Sequence, residues 1–343
     1  MRKITSLVAL ILALIMILCA CGGTAGNATT TSPVPTTGNQ NTTGNQTTTG
    51  NQTTTGGTVI PDCAHDYTVN VLTQVTTEAD GEIEYSCGKC GYSYKKTLPA
   101  VTSLKVLAIG NSFSVDAMEH LYTVAKAAGI EEVILGNLYI GGCSLDTHLG
   151  NIKADKAAYE FYTNTNGEWK KETSSIDEAL DEHEWDIVTI QQVSQDSGMP
   201  ATYGALQQII DHVNKNTLSE NLKIYWHMTW AYQQNSSHAG FANYNRDQMT
   251  MYNAIVSTVQ SKILTNSDIE GFIPSGTAVQ NLRTSYMGDT LTRDGFHMSY
   301  DIGRYTAALM WLKYLTGLDI SDIATVPAEY PDIIEHLPAI KEA

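Results

Sequence analysis

Positive charge is scarce in this chain. Only 20 Lys and Arg stand against 36 Asp and Glu over 343 residues, a formal charge of −16 at pH 7. Losing Arg2 and Lys3 with an N-terminal leader takes the remainder to −18. A surface this acidic repels phosphate backbones and other anionic polymers, so no nucleic-acid partner is expected and a neutral substrate suits it. Cysteine is sparse as well. The six, at Cys19, Cys21, Cys63, Cys87, Cys90 and Cys143, are too few for a disulfide scaffold. No Gly-x-Gly-x-x-Gly follows any strand-like run, which removes the usual signature of a dinucleotide site. Residues 22–60 lack aromatics altogether and have almost nothing to bury, so they are expected to stay disordered.

The N-terminus carries an apolar stretch from Leu7 to Leu18 behind Arg2 and Lys3. It is too short to span a bilayer comfortably and ends in small residues, the pattern of a signal peptide over residues 1–21. Leu18-Cys19-Ala20-Cys21 resembles the lipobox of bacterial lipoproteins. That resemblance implies a diacylglyceryl group on Cys21, and a membrane contact through that lipid alone. The linker that follows repeats Gly-Asn-Gln at positions 38, 44 and 50. As a flexible coil it would span roughly 35 Å and lift the folded part off the membrane. The expected location is the outer face of the cell membrane of a Gram-positive bacterium.

Residues 61–100 read as a small β-rich module. Tyr67 to Val71 and Glu82 to Ser86 have strand character, and Asp80-Gly81 marks a turn. Forty residues bury too little to be stable without a staple. Cys63-x-His65 and Cys87-x-x-Cys90 supply four N and S ligands in two pairs, a tetrahedral zinc set with no open position for catalysis. The module resembles short zinc-ribbon-like repeats of surface proteins in Gram-positive anaerobes. A Cys87–Cys90 disulfide with one thiol left over is the competing reading.

Residues 101–343 form the main domain. Apolar runs at 104–110, 133–140, 186–192, 222–229 and 269–275 read as strands, with helical patterns at Ser114 to Ala128, Tyr203 to Val213, Asn245 to Leu264 and from Ser299 to Gly317. Alternating strands and helices predict an α/β fold with a mainly parallel five-stranded sheet covered on both faces. Residues 159–172, turning at Asn166-Gly167, predict a β-hairpin insertion.

Two strings in this domain carry chemistry. Gly110-Asn111-Ser112-Phe113-Ser114 ends the first strand, and places a serine at a helix N-terminus, where negative charge is stabilised. Asp294-Gly295-Phe296-His297 precedes the last helix and offers a carboxylate and an imidazole three residues apart. Nucleophile, base and orienting acid are the parts of a hydrolytic triad. Gly-Asn-Ser alone is equally a good turn, and a single histidine is more often a surface residue. His227 and Trp230, in the aromatic run after the fourth strand, are candidates to line a sugar-binding cleft. Cys143 has no positive neighbour to activate it and reads as a buried structural thiol.

With these motifs the domain resembles the SGNH, or GDSL-like, hydrolase superfamily, in a lesser-studied branch with Gly-Asn-Ser-Phe-Ser. The resemblance implies a flavodoxin-like three-layer α/β/α sandwich and serine ester hydrolysis, often of acetyl groups on carbohydrate, with no cofactor for catalysis. Ser112 inherits the nucleophile role, His297 the base and Asp294 its orienting acid. The oxyanion hole would take the N–H groups of Ser112 and Gly142, with Gly141 as an alternative. Asn111 stands where aspartate is more usual. The third block departs further: Gln191-Gln192-Val193-Ser194-Gln195 has no asparagine, so either Gln195 or Gln192 is expected to complete the oxyanion hole. The substrate would be an acylated small molecule or glycan. A lipase- or thioesterase-type hydrolase on the same triad, and a glycan-binding surface lipoprotein without catalysis, are the alternatives.

Overall fold

A computed structural model describes Cys63 and residues 66–343; Cys21 and His65 of the sequence reading lie outside the described residues. The described residues open on a three-stranded antiparallel sheet of β1 (Tyr67–Thr73), β2 (Gly81–Cys87) and β3 (Ser93–Leu98), in that order. The period-2 alternation of β2 buries Ile83, Tyr85 and Cys87 on one face, where they pack with Tyr67. Tyr85 and Tyr94 stack there at 4.8 Å. The sheet is tied to the main domain through Val75, which joins the large core, and through Gln74 Nε2, which donates to the Gly317 carbonyl at 2.7 Å.

The main sheet contains β4 (Ser103–Gly110), β5 (Glu132–Tyr139), β6 (Tyr159–Asn164), β7 (Lys170–Ser174), β8 (Ile187–Ile190), β9 (Lys223–His227) and β10 (Gly271–Ile273). Its order is β10-β9-β8-β4-β5-β6-β7. The five expected strands are parallel to one another, in the flavodoxin-like order. The hairpin is not a separate insertion. Its first strand pairs antiparallel with β5, so the sheet has seven strands rather than five. Pattern alone shows that a hairpin exists; which sheet edge receives it depends on long-range pairing.

Helices cover both faces. α1 (Ser112–Met118), α2 (Leu121–Ala127), α7 (Ser275–Arg283) and α8 (Ile302–Thr316) group on one side; α3 (Leu145–Lys153), α4 (Ile176–Glu182) and α5 (Leu206–Asn216) group on the other. The alternation of β5 shows the two faces. Asn137 accepts a hydrogen bond from Ser114 of α1, whereas its neighbour Gly136 faces Trp185, which follows α4. A Cβ at Gly136 would lie 2.8 Å from that indole, so only glycine fits. α6 (Gln248–Thr258) and the short α9 (Leu337–Glu342) are the other α-helices among the described residues.

Two expected helices differ in detail. The run from Ser114 to Ala128 breaks near His120 into α1 and α2, and α1 begins at Ser112 because Asn111 caps it. The run from Asn245 begins only at Gln248, capped by Asp247, and ends in a π-helical turn over Val259–Ile263. Ser299 does reach the first turn of α8, accepting from the Gly303 N–H at 2.9 Å.

Candidate active site

The site lies beyond the carboxyl end of β4, between β4 and β8, where the strand order of the parallel sheet reverses. The chain leaves the strand at Gly110 and enters α1 within two residues. Asn111 makes that turn possible. Its Oδ1 accepts from the Phe113 N–H at 3.1 Å, and Ser112 therefore opens the helix with its own N–H unused by the backbone. The same Oδ1 accepts from Gln191 Nε2 at 2.8 Å, and Nδ2 donates to the Cys143 carbonyl at 3.1 Å. One buried amide thus ties together the turns after β4, β5 and β8.

Ser112, His297 and Asp294 come together across a sequence separation of 185 residues. His297 Nε2 lies 2.8 Å from Ser112 Oγ, and His297 Nδ1 lies 2.7 Å from Asp294 Oδ2. Asp294 Oδ1 also accepts from the backbone N–H groups of Phe296 at 3.2 Å and His297 at 2.8 Å. Burial alone would raise the Asp294 pKa, but the hydrogen bond from the His297 ring and these N–H groups outweigh it and hold the carboxyl below its ordinary value. A carboxylate so placed stays ionised and fixes the imidazole with its proton on Nδ1, leaving Nε2 free to accept the serine proton.

Among the described residues, neither the Ser112 N–H nor the Gly142 N–H has a protein acceptor. Gly142 sits at φ 64°, a left-handed conformation that suits glycine. Of the two glutamines, Gln192 is committed elsewhere. Its Oε1 accepts from the Leu145 N–H at 3.1 Å and the Val193 N–H at 2.8 Å, and its Nε2 donates to Thr202 O at 2.9 Å and Thr202 Oγ1 at 3.0 Å. It braces the connection after β8 against the start of α3 and has no donor to spare. Gln195 is half-buried, and its side-chain amide has no protein partner among the described residues.

The expectation that His227 and Trp230 line a sugar cleft is not met. His227 is buried, bonded through Nδ1 to Gln191 Oε1 at 2.7 Å and through Nε2 to Ser275 Oγ at 3.1 Å. Burial pushes its pKa down to about 3, so it is a neutral core histidine. Trp230 is fully buried, stacked on Phe113 at 4.5 Å, and its indole N–H donates to the Phe296 carbonyl at 2.7 Å. It wedges between the residue after Ser112 and the residue before His297. The large indole of Trp230 gains by burial, and His227 is tolerated inside because both its ring nitrogens are hydrogen-bonded. Cys143 is buried, its thiol pushed up to about 12 by that burial.

Among the described residues, Cys63, Cys87 and Cys90 form no disulfide, and their Sγ atoms lie within 4.8 Å of one another. A tetrahedral zinc with Zn–S bonds near 2.3 Å would space them about 3.8 Å apart, within reach of small adjustments.

The family model described as a domain of unknown function, DUF4886, matches residues 105–331. The chain belongs to the DUF4886 family. A DUF4886 family protein from Bacteroides uniformis, known from its crystal structure, is 40% identical, covers 70% of this chain and 92% of its own, and superposes with a TM-score of 0.66. Lower likenesses include a catalytic mutant of Axe2, an acetylxylan esterase from Geobacillus stearothermophilus, at 11% identity, 63% of this chain, 95% of its own and a TM-score of 0.40. Another is a family 3 carbohydrate esterase from Clostridium thermocellum, at 14% identity, 62% and 94% coverage and a TM-score of 0.37. No curated protein matches the chain.

In this DUF4886 domain, motif reading missed the residues that hold the site together. Asp116, fully buried on α1, was one; Arg293 and Arg304, which pair with it, were two more. A signal existed. Asp116 lies between the apolar residues Val115 and Ala117-Met118, and an ionised side chain on a buried face requires a partner.

Proposed function

We propose that this protein is a serine esterase that removes small acyl groups, acetyl above all, from carbohydrate. The observation that carries the reading is the continuous hydrogen-bonded chain from Ser112 Oγ through His297 to Asp294; the Ser112 and Gly142 N–H groups, without an acceptor among the described residues, are the donors assigned to the oxyanion. Ser112 Oγ attacks the ester carbonyl while His297 Nε2 takes its proton. The carbonyl oxygen becomes an oxyanion held by the two N–H groups and the Gln195 amide. Collapse expels the sugar alkoxide, which His297 protonates, and leaves the acyl group on Ser112. Water, deprotonated by His297, then releases acetate and restores the serine. The carbohydrate half of the reading follows from the superfamily that the motifs resemble.

Two further parts complete the proposal. Cys63, Cys87 and Cys90, with His65 as fourth ligand, hold a structural zinc. Cys21 carries a lipid anchor that keeps the domain at the outer membrane face. The decisive experiment is hydrolysis of p-nitrophenyl acetate against longer acyl chains and an acetylated xylooligosaccharide. Wild-type protein should cleave the acetyl esters and Ser112→Ala should not; wild-type turnover by Ser112→Ala would reject the triad in favour of a binding protein.

A further inference from the structure

Asp294 and His297 sit on a surface loop, yet a triad needs its groups held within a fraction of an ångström. Something must fix that loop against the helix that carries Ser112. Asp116 is the residue placed to do so. It lies four positions after Ser112 on α1, one helical turn along, and its carboxylate is fully buried. Arg293 Nη1 donates to its two oxygens at 2.9 and 3.1 Å. Arg304 donates through Nε and Nη2, each at 2.9 Å. The Met298 backbone N–H donates at 2.8 Å.

The partners are the point. Arg293 immediately precedes Asp294, and Met298 immediately follows His297. The same Arg293 Nη1 also donates to the Met298 carbonyl, so both flanks of the loop close onto one carboxylate. Tyr300 covers both guanidinium groups, each 4.7 Å from its ring. On the opposite side of the loop, Trp230 Nε1 donates to the Phe296 carbonyl and the Gln233 N–H to the Gly295 carbonyl, both neutral bonds.

We infer that Asp116 is a positioning residue: through Arg293 and the Met298 N–H it sets the distance between Ser112 Oγ and His297 Nε2. It touches no reacting atom. The inference rests on the esterase reading for its kinetic consequence, but its geometric consequence stands apart from it. Asp116→Asn removes the charge that both arginines share. A misplacement of about 1 Å at a reacting pair costs on the order of a hundredfold. The expected result is therefore a fall in kcat on p-nitrophenyl acetate of about a hundredfold, with KM within about threefold of wild type, because substrate contacts are untouched. Arg293→Gln should show the same split to a smaller degree, since Asp116 keeps Arg304 and the Met298 N–H. Arg293→Lys should recover part of the loss by restoring one charged donor.

Circular dichroism and cooperative melting establish that each variant is folded, and crystal structures of wild type and variant give the Ser112–His297 distance directly. A lengthened contact with the kcat-selective loss supports the inference. An unchanged contact, or a kcat loss no larger than the fall in folded fraction, overturns it. Should wild type hydrolyse no ester, the esterase reading fails and the crystallographic distance alone decides the role of Asp116. Should Asp116→Asn not fold, Arg293→Gln carries the same comparison.

Discussion

Asn111→Asp looks like a harmless substitution, because aspartate is the more usual residue at this place in the superfamily that the motifs resemble. The structure predicts a large loss. The capping bond survives, since aspartate caps a helix as well as asparagine does. The bond from Gln191 Nε2 at 2.8 Å survives too. What disappears is the Nδ2–H donor to the Cys143 carbonyl, leaving two acceptor oxygens about where a 3.1 Å hydrogen bond had been, at a residue only 1% exposed. An orphaned buried acceptor costs about 1–3 kcal/mol. An ionised carboxylate there adds several kcal/mol of desolvation, of which the helix N-terminus returns about 1–2 kcal/mol. The net is about 3–5 kcal/mol at pH 7, a Tm lower by on the order of 6–20 °C for a domain of this size.

The pH dependence has a definite sign. Burial raises the folded-state pKa of the introduced aspartate above its unfolded value near 3.9. As pH rises past that value the unfolded chain loses the proton first, so the deficit against wild type grows by about 1.4 kcal/mol per pH unit until the folded carboxyl also ionises. Below about pH 4 the protonated acid can donate to Cys143, and the deficit is smallest. Urea denaturation of both proteins from pH 4 to 8 measures it. Activity should fall as well, toward the hundredfold loss that follows removal of an oxyanion donor, because the loop carrying Gly142 loses its tie. A deficit under about 1 kcal/mol at pH 7, or one independent of pH, would refute the reasoning.

Other outcomes follow from the same geometry. Gln195→Ala should cost about a hundredfold in turnover with a normal Tm, whereas Gln192→Ala should lower Tm, since the connections after β5 and β8 lose a shared brace; the two are told apart by kinetics beside calorimetry. Trp230→Phe should cost about 2–4 kcal/mol by urea titration, from a cavity and an orphaned Phe296 carbonyl, and slow ester hydrolysis through His297 rather than through sugar binding. His227 and His148, pushed by burial down to about 3 and about 4, should make the fold acid-labile. The unfolded chain protonates them below about pH 6.5 while the native state does not, so each should remove about 1.4 kcal/mol per pH unit from there down to its folded pKa, and His227→Gln should flatten that slope in denaturant titrations. Metal analysis should find about one zinc per chain, and its chelation should lower the stability of the small sheet while leaving acetyl-ester hydrolysis unchanged.

Local pattern determined a good deal of this protein. The five parallel strands, the first two strands of the small sheet and the 159–172 hairpin were legible because strand and turn chemistry is written in neighbouring residues; the third strand of the small sheet, β3, was not. Ser112, Asp294 and His297 were legible for the same reason: each lies in a short string with its own turn or spacing. Tertiary structure alone decided how the pieces meet. Nothing local says that the hairpin pairs with β5, that Gln192 spends its amide on Thr202 and Leu145, or that His227 and Trp230 turn inward. These outcomes rest on contacts between residues tens of positions apart, and burial energy does not distinguish a core from a cleft. Asp116 is the clearest case. In sequence it is one acid among 36 Asp and Glu, but in the fold its two arginines arrive from positions 177 and 188 residues further along. A buried charge is tolerable only where such partners converge, and convergence is a property of the folded chain.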